Sequence, residues 1–450
     1  MFVSSASATP LLMGVFALVM VGTYVLIATE KIHKTLAAAA GALIVLVLGV
    51  WTGVFPYGDL YQFVAKDLNV LGVIIGTSVL VEVVGNSGLF HFIAIRIVKA
   101  TGGDPRRLFT ALVLLTFLFV TFLTIVPAML VLSSLVIVVT RTLALDARPY
   151  MMGIALAANA GACTTLASGL PNLMIGTAAG LGYVDFLVAT LPFSFLALGL
   201  VWVVVRLMYG KALPEAANSA EVEARKQQVQ DFDEWALVKD PRVFKRAAII
   251  LGLTVVGFMV ARPLGLGLDF IAVAGGTAAL FLSGLDVEKT FRQVNWAVVL
   301  FFVALFTLIG AVEETGLLEV IAGSLETVIG SSVQLGLGLF CFATGVLSGI
   351  VDNIPVAATM VPVVRGLESV DSGPLWWAVA LGANLGGSLT PIGSIAGVIA
   401  IHTLKKEANQ RVGWGEFLKV GGTLFLVQVI AAIAYLIVME SLGFLPEGSQ

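Results

Sequence analysis

Two apolar stretches of this chain are interrupted by residues that hydrocarbon does not tolerate. SGIVDNIPVAATMVPVV (Ser348–Val364) is broken by Asp352, Asn353 and Pro355. ALGANLGGSLTPIGSIAGVIAIHTLKK (Ala380–Lys406) is broken by Gly386, Gly387, Ser388, Thr390, Pro391, Gly393 and Ser394. Proline and paired glycines free backbone groups that lipid cannot satisfy, so such breaks persist only inside protein or beside water. Two interrupted segments in succession are what a binding site at mid-membrane depth requires. The pattern points to a membrane transporter.

Composition agrees. Only 12% of the 450 residues are charged, half the share of about 25% usual in soluble domains, and the mean hydropathy is +1.03. The 48 glycines suit close helix packing in lipid. A net charge of −3 with no basic aromatic cluster gives no sign of a nucleic-acid partner. Cys163 and Cys341 lie in apolar runs and imply no disulfide framework. The N-terminal MFVSSASATP has no Lys or Arg before its first apolar run, so Pro10–Ala28 reads as a retained span rather than a cleaved signal.

Runs near the length of a membrane crossing fall at about 10–29, 35–52, 68–85, 186–208, 246–262, 268–284, 296–312 and 416–439. Between them lie two longer Gly/Pro-broken regions, 105–184 and 332–405, each read as a re-entrant hairpin followed by a broken span. The expected fold is an all-α polytopic membrane protein of ten crossings and two hairpins. With both termini outside, all of the 25 Lys and Arg except Lys66, Arg262 and Arg365 fall on the cytoplasmic face of an inner (cell) membrane. Tyr209–Arg242, of mixed charge, divides the chain as a cytoplasmic linker.

The two sides of that linker repeat. Gly88 and Gly316 are 228 residues apart, as are Pro127 and Pro355, and Asn159 and Asn384 are 225 apart. Five crossings per copy, an odd number, invert the second copy in the membrane. The expected domains are residues 1–208 and 246–450 as inverted repeats, with 209–245 as linker. Such repeats place the site on their pseudo-twofold interface. The amphipathic stretches Asn86–Gly103 and Thr315–Gly330 are expected to lie on opposite membrane surfaces and support the hairpins.

An ionisable group at membrane depth is costly and suggests function. Asp352 is the leading candidate for coupling to Na⁺ or H⁺, with Asn353 beside it and Thr124 at the matching position of the first copy. As an Asp ahead of a proline it also suits a helix N-cap. A neutral set is expected to bind substrate: Asn159, Thr164, Thr165, Ser168 and Asn172, then Asn384, Ser388, Thr390 and Ser394. Hydroxyls and free N–H groups at half-helix starts suit an anion or a polar solute, and freed carbonyls suit Na⁺. Glu82 is placed to pair with Arg96 or Lys99, while His33, His91 and His402 read as solvated interfacial groups. The chain has no GxxxxGK[ST], HExxH or CxxC motif, so nothing marks an enzyme, and any ATP hydrolysis would belong to a partner ATPase. No cofactor is expected beyond bound Na⁺ or H⁺.

At DNIPVAATMVPVV and GANLGGSLTPIGSIAGV the sequence resembles the ion transporter superfamily, nearest the ArsB/NhaD permeases, with the melanosomal P protein and the citrate and dicarboxylate transporters further off. The resemblance implies an inverted-repeat fold with a scaffold and a transport region, often a homodimer working by an elevator motion. The dicarboxylate symporters carry Ser-Asn-Thr at both hairpin tips; here the tips read Thr124-Ile125-Val126-Pro127 and Asp352-Asn353-Ile354-Pro355. The LTPIGS run (Leu389–Ser394) is similar to arsenite permeases, DNIP to NhaD, and ASGLPN (Ala167–Asn172) to the carboxylate carriers. The leading expectation is a cation-coupled secondary transporter of a small inorganic anion or oxyacid, arsenite or antimonite being the type. The alternatives are a Na⁺/H⁺ antiporter, a di- or tricarboxylate symporter, and an uncoupled anion channel.

Overall fold

In the computed structural model, which describes residues 9–29, 31–213, 219–330, 332–367 and 371–448, every regular element among those residues is a helix. Residues 1–8, in the expected outer N-terminus, and 214–218, in the expected linker, lie outside the described residues.

The chain begins with α1 (Pro10–Ala28), α2 (Lys34–Thr52), the short α3 (Asp59–Ala65) and α4 (Leu68–Asn86). Then follow α5 (Leu89–Ala100), the hairpin of α6 (Pro105–Leu123) and α7 (Ile125–Thr142), and α8 (Arg148–Ala162). After an irregular loop come α9 (Leu170–Ala178), α10 (Tyr183–Ala189) and α11 (Leu191–Tyr209). The linker holds α12 (Ser219–Gln230). Beyond it are α13 (Pro241–Val260), α14 (Leu268–Ser283), α15 (Val287–Gln293), α16 (Trp296–Glu313) and α17 (Leu317–Ile329). A second hairpin of α18 (Val333–Ile350) and α19 (Asn353–Arg365) leads to α20 (Gly373–Gly386), a second irregular loop, α21 (Ile395–Thr403) and α22 (Trp414–Ser441). Ten helices among the described residues are long and apolar enough to cross a membrane.

Helix starts recur along the chain. Those of α3 to α7 reappear 228 residues later in α15 to α19, and those of α8 and α9 reappear 225 later in α20 and α21. Proline placement explains part of this. Pro127 and Pro355 occupy the third position of α7 and α19, and Pro171 the second of α9, where a missing N–H costs nothing. Aspartate supplies caps: Asp104 accepts from the N–H of Arg107 ahead of α6, and Asp240 from that of Arg242 ahead of α13, both at 2.7 Å.

Packing crosses between the halves. Helix α2 lies on α16 and α4 on α14, while α9 rests on hairpin helix α19 and α21 on hairpin helix α7. Each hairpin is also fastened to the broken helix that follows it, α6 on α8 and α18 on α20. The second of these seams is built of glycine. A Cβ at Gly386 would stand 2.2 Å from the Gly345 carbonyl oxygen, and one at Gly382 would stand 2.5 Å from that of Cys341. Ser348 adds a bond to the Ala383 carbonyl at 2.6 Å.

Two features depart from the sequence expectation. The run expected as one span at 186–208 begins in the end of α10 and is otherwise α11 from Leu191, while the 110° bend lies just before it, between α9 and α10. Glu82 does not reach Arg96 or Lys99; it accepts from Asn86 Nδ2 at 2.7 Å, and the two cations instead face Glu234 of the linker at 3.9 and 2.5 Å. The linker can do this because it lies along α5. Its Trp235 ring stands 4.7 Å from that of Phe92, and its backbone at Leu237 and Arg225 abuts Gly88 and Gly103.

Candidate functional site

Both hairpin tips and both half-helix starts meet at one place. A cavity of about 80 Å³ is lined by Thr124, Ile125 and Val126 of the first tip and by Asp352, Asn353 and Ile354 of the second. Ser168, Gly169, Leu170 and Pro171 approach from the start of α9, and Ser394 and Ile395 from the start of α21. Lys34 at the start of α2 and Val298 near the start of α16 close it. A neighbouring open cleft of about 210 Å³ shares Lys34, Asp352 and Ile395 and is walled by the α1–α2 turn, including His33.

The field in this cavity follows from the backbone. Helices α7, α9, α19 and α21 all begin at its wall, and the first N–H groups of a helix have no partner within it. Four such ends, each equivalent to about half a positive charge, face one small volume. Lys34 adds a full charge, and Asp352 supplies one negative charge. Lys34 Nζ is 2.7 Å from Asp352 Oδ2, and the other oxygen, Oδ1, accepts from the N–H of Ile354 at 3.3 Å. Asp352 therefore caps α19 and holds an ion pair together. Thr124 takes φ +76° and ψ 166°, a region that only glycine visits freely and that costs other residues about 1–3 kcal/mol. The Ser394 hydroxyl is buried without a partner among the described residues.

Of the residues expected to serve the site, the structure brings Thr124, Ser168, Asp352, Asn353 and Ser394 to the cavity wall. The others are not on that wall; Asn159, Thr164, Thr165, Asn172, Asn384 and Ser388 are buried and Thr390 is half-buried. Asn159 Nδ2 donates to Ser388 Oγ at 3.1 Å, and Asn384 Nδ2 donates to Asn172 Oδ1 at 2.7 Å. The first bond joins α8 to the second irregular loop, and the second joins α20 to α9. Asn172 Nδ2 also donates to the carbonyls of Ala162 and Thr165, and Ser168 Oγ to the same pair. Thr164 donates to the Gly161 carbonyl at 2.6 Å, Thr165 Oγ1 accepts from the N–H of Ser168, and Thr390 donates to the Gly349 carbonyl in hairpin helix α18 at 2.5 Å. Freed backbone groups at the breaks are thus largely satisfied by the polar side chains beside them.

Sequence reasoning missed Lys34. It counts there as one of many basic residues at a cytoplasmic span end, and the partner that distinguishes it lies 318 residues away. Tyr24 is a second omission; its hydroxyl meets Thr359 Oγ1 of α19 at 2.6 Å. Two of the three basic residues expected on the outer face, Lys66 and Arg365, line a cavity of about 50 Å³ with Asp67 and Glu313. Burial holds the Asp67 carboxyl above its usual value, with Arg365 opposing. The third, Arg262, pairs with Asp185 at 2.5 Å.

Two tip-to-tip hairpins and two broken helices around one cavity that holds an ion pair, within a bundle of lipid-length helices, define a secondary transporter of the membrane. The family model described as "Citrate transporter" matches residues 24–382, and the chain belongs to that family. It is 30% identical to an uncharacterised transporter of Mycobacterium bovis, over 93% of this chain and 96% of that one. It is 25% identical to the arsenical pump membrane protein of Escherichia coli, over 89% and 92%. Among solved structures it is similar in fold to the YdaH transporter of Alcanivorax borkumensis, with a TM-score of 0.61, 17% identity, and coverage of 92% of this chain and 99% of that one.

Proposed function

We propose that this transporter carries a small inorganic anion or oxyacid, of the arsenite or antimonite kind, coupled to H⁺ or Na⁺ at Asp352. The observation that carries the reading is the convergence of four helix starts and Lys34 on one cavity, which favours negative charge or oxygen-rich solutes. The similarity to an arsenical pump membrane protein supports an oxyacid. Asp352 is the one carboxylate on the cavity wall among the described residues, and its counterpart in the first hairpin is the neutral Thr124, which favours a single coupling site. The recurring helix starts support two inverted repeats related across this site, and the basic residues support outer termini in an inner membrane. A lone carboxylate facing a lysine also suits a Na⁺/H⁺ antiporter, so the test carries an arm for it.

The test is transport by purified protein in proteoliposomes with H⁺ or Na⁺ gradients imposed, for wild type and Asp352→Asn. Wild type should accelerate arsenite movement when a gradient is present, and the Asn variant should not. The same acceleration in both would remove Asp352 from coupling. Gradient-driven Na⁺ flux without any arsenite flux would establish the antiporter instead.

A further inference from the structure

Lys34 belongs to two spaces at once. It lines both the cavity between the hairpin tips and the cleft beside it, and Asp352 and Ile395 are the only other described residues common to both. Its Nζ lies 2.7 Å from Asp352 and 5.2 Å from the centre of the Phe301 ring. The ion pair stands at the junction, between the α1–α2 turn and the tip of the second hairpin. No other charged side chain lines either space among the described residues, and His33 is the one further titratable group, on the cleft wall.

We propose that Lys34 is the built-in counter-cation of the site. The coupling cation takes Asp352 from it, and the ammonium so released becomes the group that binds the transported anion or oxyacid. This rests on Asp352 being the coupling carboxylate. A carboxylate partly withdrawn from water, as Asp352 is, is stabilised by a positive partner or a proton. In this structure Lys34 is that partner, so the two charges cancel and neither is free for cargo. When H⁺ or Na⁺ neutralises Asp352, the ammonium loses its partner while four helix starts still face the cavity. The net charge there becomes positive, and an oxygen ligand restores the balance. Cation binding therefore creates the anion site, and by reciprocity the anion tightens the cation. The pair also ties α2 to the hairpin tip, so loading the site and freeing the tip are one event. Cation alone leaves an unpaired ammonium and anion alone meets an occupied one, and this disfavours both half-loaded states.

The experiment is a cation titration of thermal stability on the purified full chain, with Na⁺ exchanged against choline at constant ionic strength, and H⁺ titrated separately. Wild type is compared with Lys34→Gln, Lys34→Arg and Asp352→Asn. Losing the internal competitor in Lys34→Gln should lower the cation midpoint by about tenfold, within the range of ordinary site coupling. Lys34→Arg should stay near wild type. Added arsenite should lower the midpoint in wild type and leave it unmoved in Lys34→Gln. Should the Gln variant not fold, Lys34→Met keeps the aliphatic stem against Phe301 and removes only the charge. An unchanged midpoint in Lys34→Gln or Lys34→Met overturns the counter-cation role and makes the pair a tether. Cation dependence that persists in Asp352→Asn overturns the coupling assignment instead.

Discussion

The bond between Asn384 and Asn172 joins α20 to α9, one helix of each half, and its strength can be measured. Asn384→Ala removes donation to Asn172 Oδ1 at 2.7 Å and to the Ala380 carbonyl at 2.8 Å. It strands Asn172 Oδ1 in a residue only 1% exposed, a loss of about 1–3 kcal/mol. The same change deletes Asn384 Oδ1, itself buried without a partner among the described residues, which returns part of that cost. The net loss should be about 1–2 kcal/mol. Asn172→Ala has no such relief and forfeits two further bonds, to the Ala162 and Thr165 carbonyls, so it should cost about 2–4 kcal/mol. Interhelical side-chain bonds in membranes average about 0.6 kcal/mol and reach about 1.7. The double variant should fall short of the sum of the singles by that amount. Equilibrium unfolding in mixed micelles, followed by circular dichroism, gives the three differences. Additivity within about 0.3 kcal/mol would refute the bond. Unaltered stability with weakened arsenite transport would return both asparagines to the substrate.

Two other outcomes bear on the linker. The bond from Lys99 holds the Glu234 carboxyl below its usual value of 4.5. The stability it contributes is therefore complete above that value and is lost as pH falls through the lowered one. Protease cleavage around 231–240 should rise only at such acid pH, and Glu234→Gln should remove the step. A cysteine at Lys226, on α12, should react with an impermeant reagent in inside-out vesicles and not in intact cells; the reverse result would turn the topology over.

The helices were legible wherever lipid alone dictates them. Breaks at Pro127, Pro171 and Pro355 become helix starts because each proline sits where a helix has no N–H to lose. Thr124 and Asp352 could be placed at matching tips from spacing alone. The assignment of individual polar side chains was less legible, for a physical reason. An amide at membrane depth must find a partner, and sequence does not say whether that partner is cargo or another loop. For Asn159 and Asn384 it is Ser388 and Asn172. Lys34 was illegible altogether, since its role depends on how α2 meets a hairpin tip encoded in the other half of the chain.

The crossed packing has a consequence for synthesis. Asn159 and Asn172 wait for partners made 229 and 212 residues later, and α9 waits for the α19 it rests on. At about 5–20 residues per second, the first half spends roughly 10–45 s in the bilayer with Asn159 Nδ2 and Asn172 Oδ1 unmatched and α7 without α21 against it. A nascent chain in that condition is open to quality-control proteases and to pairing with another copy's first half. Genes split at the linker should yield a working carrier only when both pieces are made together, because neither piece holds a whole cavity.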